Sequence, residues 1–135
     1  MIKIFCDGGA RGNPGPAAYG FVVYLDDKLI QKGAGYLGIA TNNFAEYTAV
    51  IKALARLKNH YQGSDMQFYL DSQLVVLQLS GIYKVKNAQI RELVFRVRTL
   101  ENSFRAITYR HIPRERNKEA DALVNLALDK QLKLT

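Results

Sequence analysis

Asp7, Glu46, Asp71 and Asp121 are the residues of this 135-residue chain with the most chemistry to offer. Asp7 follows the apolar run Ile2 to Cys6, and Asp71 follows Met66 to Leu70. Glu46 and Asp121 fall in the first turns of two helical patterns. Acids brought together at such junctions repel one another, and some must take up protons unless cations lie among them. Hard divalent ions such as Mg²⁺ or Mn²⁺ prefer oxygen ligands and relieve that repulsion. The set therefore points to a metal site. Each acid also has an ordinary reading. Asp7 suits a turn before Gly8-Gly9, and Glu46 a capping box with Asn43. Asp71 suits a helix N-cap, and Asp121 the positive end of a helix dipole. Four ordinary roles at the same end of one sheet is the less economical account.

The elements that must position these acids alternate along the chain. Ile2 to Cys6 reads as a strand stopped by Asp7-Gly8-Gly9. Ala18 to Leu25 and Leu29 to Leu37 read as a hairpin turning at Asp26-Asp27-Lys28. From Asn43 the spacing of Tyr47, Val50, Ile51, Leu54 and Leu57 is helical. Met66 to Leu70 is a fourth strand, Ser72 to Leu79 a short helix, and Ile90 to Leu100 another helix. Phe104 to Tyr109 reads as a fifth strand, and Ala120, Leu123, Val124, Ala127 and Leu128 line a last helix. Lys130 to Thr135, short and amphipathic, reads equally as an added strand or a loose tail. Strand–helix–strand crossovers after a hairpin imply an α/β fold, a mixed sheet with helices on its faces. The first and fourth strands become parallel neighbours about 4.8 Å apart, which sets Asp7 and Asp71 side by side. Asp121 shares a stripe with Val124 and Leu128, so it points toward the protein body.

Composition narrows the partner. Nineteen Lys and Arg against twelve Asp and Glu give a net charge of +7, and the pI is about 9.6. That balance suits a polyanion such as nucleic acid, with a merely solvated basic surface as the plainer account. One cysteine, Cys6, cannot form an internal disulfide, which fits a reducing cytoplasm. No stretch reads as a signal peptide or membrane span, and residues 1–135 are expected to form a single domain.

Four stretches together carry a family resemblance. They are Asp7-Gly8-Gly9 with Asn13-Pro14-Gly15, then Thr41-Asn42-Asn43-Phe44-Ala45-Glu46, then Asp71-Ser72-Gln73, and finally His111 with Asn117-Lys118-Glu119-Ala120-Asp121. In order and spacing the chain, from Ile2 to about Ala127, resembles type 1 ribonuclease H, nucleases that cut the RNA strand of RNA/DNA hybrids. The resemblance implies a ribonuclease H-like fold, a five-stranded mixed sheet with its second strand antiparallel, flanked by helices. It implies that Asp7, Glu46, Asp71 and Asp121 bind two Mg²⁺ ions, with Mn²⁺ able to substitute. Asp7 would bridge the ions, Asp121 would serve the nucleophile side, and Glu46 with Asp71 the leaving-group side. The products would carry 5′-phosphate and 3′-hydroxyl ends. His111, in the turn-rich stretch Arg110 to Lys118, would assist proton transfer or product release from a mobile loop, with Arg114 as its rival. Asn13, Asn42 and Asn43 would reach ribose hydroxyls in the minor groove, Thr41 a phosphate of the DNA strand, and Gln73 would add a contact. A monomer is the default expectation.

In one place the sequence departs from that pattern. Gly81 to Asn87 runs almost directly into the next helix where many relatives insert a basic, tryptophan-containing protrusion, and the chain has no tryptophan. Lys84 and Lys86, with Arg91, Arg114, Arg116 and Lys118, are expected to compensate electrostatically, with Tyr83 against a sugar. Weaker hybrid binding and a steep salt dependence follow. Three other classes fit these residues less well. A noncatalytic hybrid binder gains nothing from four acids near phosphates. An actin-type ATP domain needs a second half to enclose its nucleotide. A purely structural domain would show no magnesium-linked stabilisation.

Overall fold

The computed structural model describes residues 1–134, the side chain of Leu134 excepted. Its strands are β1 (Ile2–Ala10), β2 (Gly15–Leu25), β3 (Lys28–Ala40), β4 (Asp65–Leu70) and β5 (Ala106–His111). Its α-helices are α1 (Asn42–Leu57), α2 (Gln73–Leu79), α3 (Ala88–Glu101) and α4 (Lys118–Leu134), with one 3₁₀ turn at Arg114–Arg116. The sheet is five-stranded in the order β3-β2-β1-β4-β5. β2 runs antiparallel to β1 and β3, whereas β1, β4 and β5 are parallel. This is the expected mixed sheet, and no helix among the described residues is long and apolar enough to cross a membrane.

Several boundaries differ from expectation. β1 does not stop at Asp7: pairing with β4 ends at Cys6↔Leu70, but pairing with β2 runs on through Ala10↔Ala17. Gly8 and Gly9 read as breakers, yet an antiparallel neighbour still offers them ladder hydrogen bonds. β5 begins at Ala106 because Phe104 is spent in the turn after α3, where its N–H reaches Glu101 O at 3.0 Å. It then extends to His111, which is therefore a strand residue and not part of the following loop. α4 continues through Leu134, so Lys130 to Leu134 is helix; Thr135 lies outside the described residues. The hairpin turn is as expected, with Asp26 (φ 48°) and Asp27 (φ 68°) both left-handed, as a two-residue turn requires.

The two faces of the sheet are covered differently. α1 lies over β1 with Tyr47, Val50, Ile51 and Leu54 buried against Ile2, Ile4, Cys6, Phe21 and Phe68, and α3 adds Leu93 and Val97 to that cluster. On the other face α4 lies chiefly over β2, seating Val124 and Leu128 on Ala18. Two glycines set how close these helices come. A Cβ on Gly8 would stand 2.3 Å from the carbonyl carbon of Ala45, and one on Gly20 would stand 2.7 Å from Ala120 O. No side chain fits either gap. The next residue of α1 is Glu46 and the next of α4 is Asp121.

Candidate active site

The register delivers the first two acids. Cys6 and Leu70 are the last paired residues of the β1–β4 ladder, so Asp7 and Asp71 follow at adjoining positions. Asp71 caps nothing: Ser72 is the N-cap of α2, accepting from Val75 N at 3.3 Å. Nor does Glu46 close a capping box, because Thr41 is the N-cap of α1 and accepts from Phe44 N at 3.1 Å. Both carboxylates are thus left free of their ordinary roles. Side-chain oxygens of Asp7, Glu46 and Asp71 lie within 4.8 Å of one another. Asp121, at the start of α4, lies close enough to Asp7 that its side chain and its charge both push the Asp7 pKa up.

Electrostatics in this cleft are strained. Asp7 is 7% exposed, and its pKa is pushed up from 3.8 to about 8 by burial first, then by Asp71, Asp121 and Glu46. Glu46 is pushed up to about 7, mainly by burial and with Asp71 adding, against opposing pulls from a Ser72 hydrogen bond and the charge of Arg114. Glu46 Oε2 is buried with no hydrogen-bond partner. No lysine or arginine forms an ion pair with any of the four acids among the described residues. An all-carboxylate set with a buried, unpartnered oxygen fits hard divalent cations, which would displace the protons and satisfy that oxygen.

The acids open into a cleft of about 410 Å³ whose wall also includes Arg11, Asn42, Ser72, Arg114 and Asn125. Arg114, from the 3₁₀ turn, is in this wall, whereas His111 is exposed at the end of β5 beside Leu70 and does not line it. Beside this cleft Asn13, Thr41, Asn42 and Asn43 line a groove of about 400 Å³, joined by Gln78 and Asn87. Asn13 Oδ1 accepts from Asn42 N at 3.0 Å, and Asn42 Oδ1 from Ala10 N at 2.7 Å. Those bonds consume the carbonyl oxygens and leave the amide nitrogens as donors. Gln73, Tyr83, Lys84 and Lys86 are all exposed and lie outside both cavities.

Comparison with known proteins agrees with this geometry. Residues 5–127 match a family described as reverse transcriptase-like. The structure of LC11-RNase H1 in complex with an RNA/DNA hybrid superposes with a TM-score of 0.93 at 39% identity, covering 98% of this chain and 99% of that one. The chain belongs to the type 1 ribonuclease H family. Ribonuclease HI of Halobacterium salinarum is 40% identical over 129 residues, 95% of this chain and 64% of that protein. A bifunctional protein of Mycobacterium tuberculosis is 41% identical over 130 residues, 95% of this chain but 35% of its own length. The chain thus spans about a third to two thirds of these curated relatives.

Within this ribonuclease H fold, the site contains residues to which sequence reasoning gave no part. Asn117, 1% exposed, donates to Cys6 O at 2.8 Å and to Asp71 Oδ2 at 3.2 Å, joining β1, β4 and the start of α4. Asn125 donates to Asp121 Oδ2 at 3.3 Å. Asn117 stood inside a quoted motif and Asn125 four residues beyond it. Nothing in the sequence told that their amides reach the acids.

Proposed function

We propose that this chain hydrolyses the RNA strand of RNA/DNA hybrids with two divalent metal ions, leaving 5′-phosphate and 3′-hydroxyl ends. The observation that carries this reading is the convergence of four carboxylates, three with oxygens within 4.8 Å, in ion pairs with no lysine or arginine among the described residues and including one buried unpartnered oxygen. A binding module has no use for such repulsion beside a phosphodiester. Asp7, Glu46, Asp71 and Asp121 would hold the ions, Mg²⁺ by preference. Bound there, they supply a lowered pKa for the attacking water and neutralisation of the departing 3′ oxygen.

The remaining work falls to the chain itself. Ser72 and Asn117 orient Glu46 and Asp71. Arg114 offers the scissile phosphate a fork of donors at the cleft wall. His111, exposed at the strand end outside the acid cleft, would exchange protons with solvent and assist product release. Amide donors of Asn13, Asn42 and Asn43 suit ribose 2′-hydroxyls, the feature that tells RNA from DNA. Thr41 would meet a DNA-strand phosphate beside the N-terminus of α1. Gln73, Tyr83, Lys84 and Lys86 would touch the duplex only at its margins. That a relative was solved with a hybrid bound supports this substrate class. The test is incubation with an end-labelled hybrid, with and without Mg²⁺, beside Asp7→Asn. RNA-strand cleavage by the parent alone, and only with metal, is expected. Cutting that survives the substitution would sink the assignment.

A further inference from the structure

Arg11, immediately after β1, contributes to the wall of the acid cleft. Its Nη2 lies 2.7 Å from Asp129 Oδ1 and 3.5 Å from Asn125 Oδ1. Asn125 in turn donates to the backbone oxygen and Oδ2 of Asp121, at 3.2 and 3.3 Å. One amide side chain therefore separates this guanidinium from the acids. Arg114 acts on Glu46 and Arg11 approaches Asp121, so a cation stands at each end of the acid group. The backbone delivering Arg11 is pinned on both sides. Arg11 N donates to Pro16 O at 2.8 Å, and Ala10 N donates to Asn42 Oδ1 at 2.7 Å.

The ion pair to Asp129 is open to solvent, with side chains 39% and 57% exposed. Exposed pairs of this kind hold weakly, so exchange for a better acceptor costs little. A phosphate is such an acceptor, because its oxygens match the guanidinium fork. We infer that Arg11 determines substrate affinity by gripping a backbone phosphate of the scissile strand beside the acid cluster, releasing Asp129 as the nucleic acid arrives. This rests on the nuclease reading above. Asp129 then acts as a competing anion that holds Arg11 in place between turnovers.

A mere strut between the loop and α4 predicts something different, and the signs separate the two. Steady-state cleavage of a short RNA/DNA hybrid in saturating Mg²⁺ is compared for the parent, Arg11→Met, Asp129→Asn and the double variant. Loss of a charge-assisted phosphate contact should raise KM about tenfold in Arg11→Met with kcat little changed. The slope of log KM against log salt should fall by about one in that variant. Asp129→Asn should lower KM by roughly threefold when Arg11 is present and do nothing in the Arg11→Met background. Should Arg11→Met melt prematurely, Arg11→Lys carries the test, since it keeps the charge but loses the fork, and a KM raised about threefold is expected. Equal shifts of KM in the same direction for Arg11→Met and Asp129→Asn would overturn the inference, as would an Asp129→Asn effect of the same size in both backgrounds. A parent that cuts no hybrid overturns the nuclease reading itself, which is a distinguishable failure.

Discussion

Asparagine at position 7 keeps the outline of the side chain and removes its charge, so it divides the stability of the site from its chemistry. In the metal-free protein the Asp7 carboxyl is raised from 3.8 to about 8. The folded state therefore keeps a proton that the unfolded state releases. Stability from this group is complete below the unfolded value and declines as pH rises from about 4 to about 8. At pH 7 the decline covers roughly three units, about 4 kcal/mol at 1.36 kcal/mol per unit. Because neighbouring carboxylates contribute to that rise, the part removed by changing Asp7 alone is about 2 kcal/mol. Asp7→Asn should accordingly stabilise the metal-free chain. With an unfolding entropy of about 2.1 cal/mol/K per residue, the gain is a Tm higher by about 7 °C. Added Mg²⁺ should raise the Tm of the parent and barely move the variant. Thermal melts by circular dichroism, in chelator and in Mg²⁺ at pH 5 and pH 7.5, read both effects, and the chelator difference should narrow at pH 5. A variant no more stable than its parent in chelator at pH 7.5, or one with an equal response to Mg²⁺, would refute the reasoning.

Other expectations follow from single contacts. Gly8→Ala places a methyl 2.3 Å from the Ala45 carbonyl carbon; it should cost about 1–3 kcal/mol in denaturant melts and lower kcat with it, as α1 shifts Glu46. Asn117→Ala strands Cys6 O and Asp71 Oδ2; a loss of about 1–3 kcal/mol should come with a higher Mg²⁺ concentration for half-maximal rate, which simple destabilisation would not produce. Arg114→Ala should lower kcat more than His111→Ala, because only Arg114 lines the acid cleft; single-turnover cleavage compares them directly. Hybrid affinity should drop steeply between 50 and 200 mM salt, and a flat binding isotherm series would count against the basic surface as the grip.

How far the sequence could be read depended on the range of the interaction. Asp7 beside Asp71 was legible because two apolar runs ending in acids leave little choice in a parallel pair. The helix stripes of α1 and α4 were legible for the same local reason. Boundaries failed where a neighbour decided them. Gly8-Gly9 looked like a stop until β2 supplied the partner, and Phe104 looked like strand until its turn engaged Glu101. Asn117 to Cys6 and Arg11 to Asn125 span 111 and 114 residues of chain, and no spacing rule reaches that far. His111 and Arg114 differ by three positions, and only the end of β5 tells which of them faces the acids.

Gly8 and Gly20 seat α1 and α4 against opposite faces of one sheet, and each helix carries an acid that the strands cannot supply. Three of the acids ride on β1, α1 and the turn after β4, whereas Asp121 rides on α4 alone. Lifting α4 from Ala18 would therefore withdraw one carboxylate and leave its three fellows in place, so occupancy of the site by divalent ions and docking of that helix should rise and fall together.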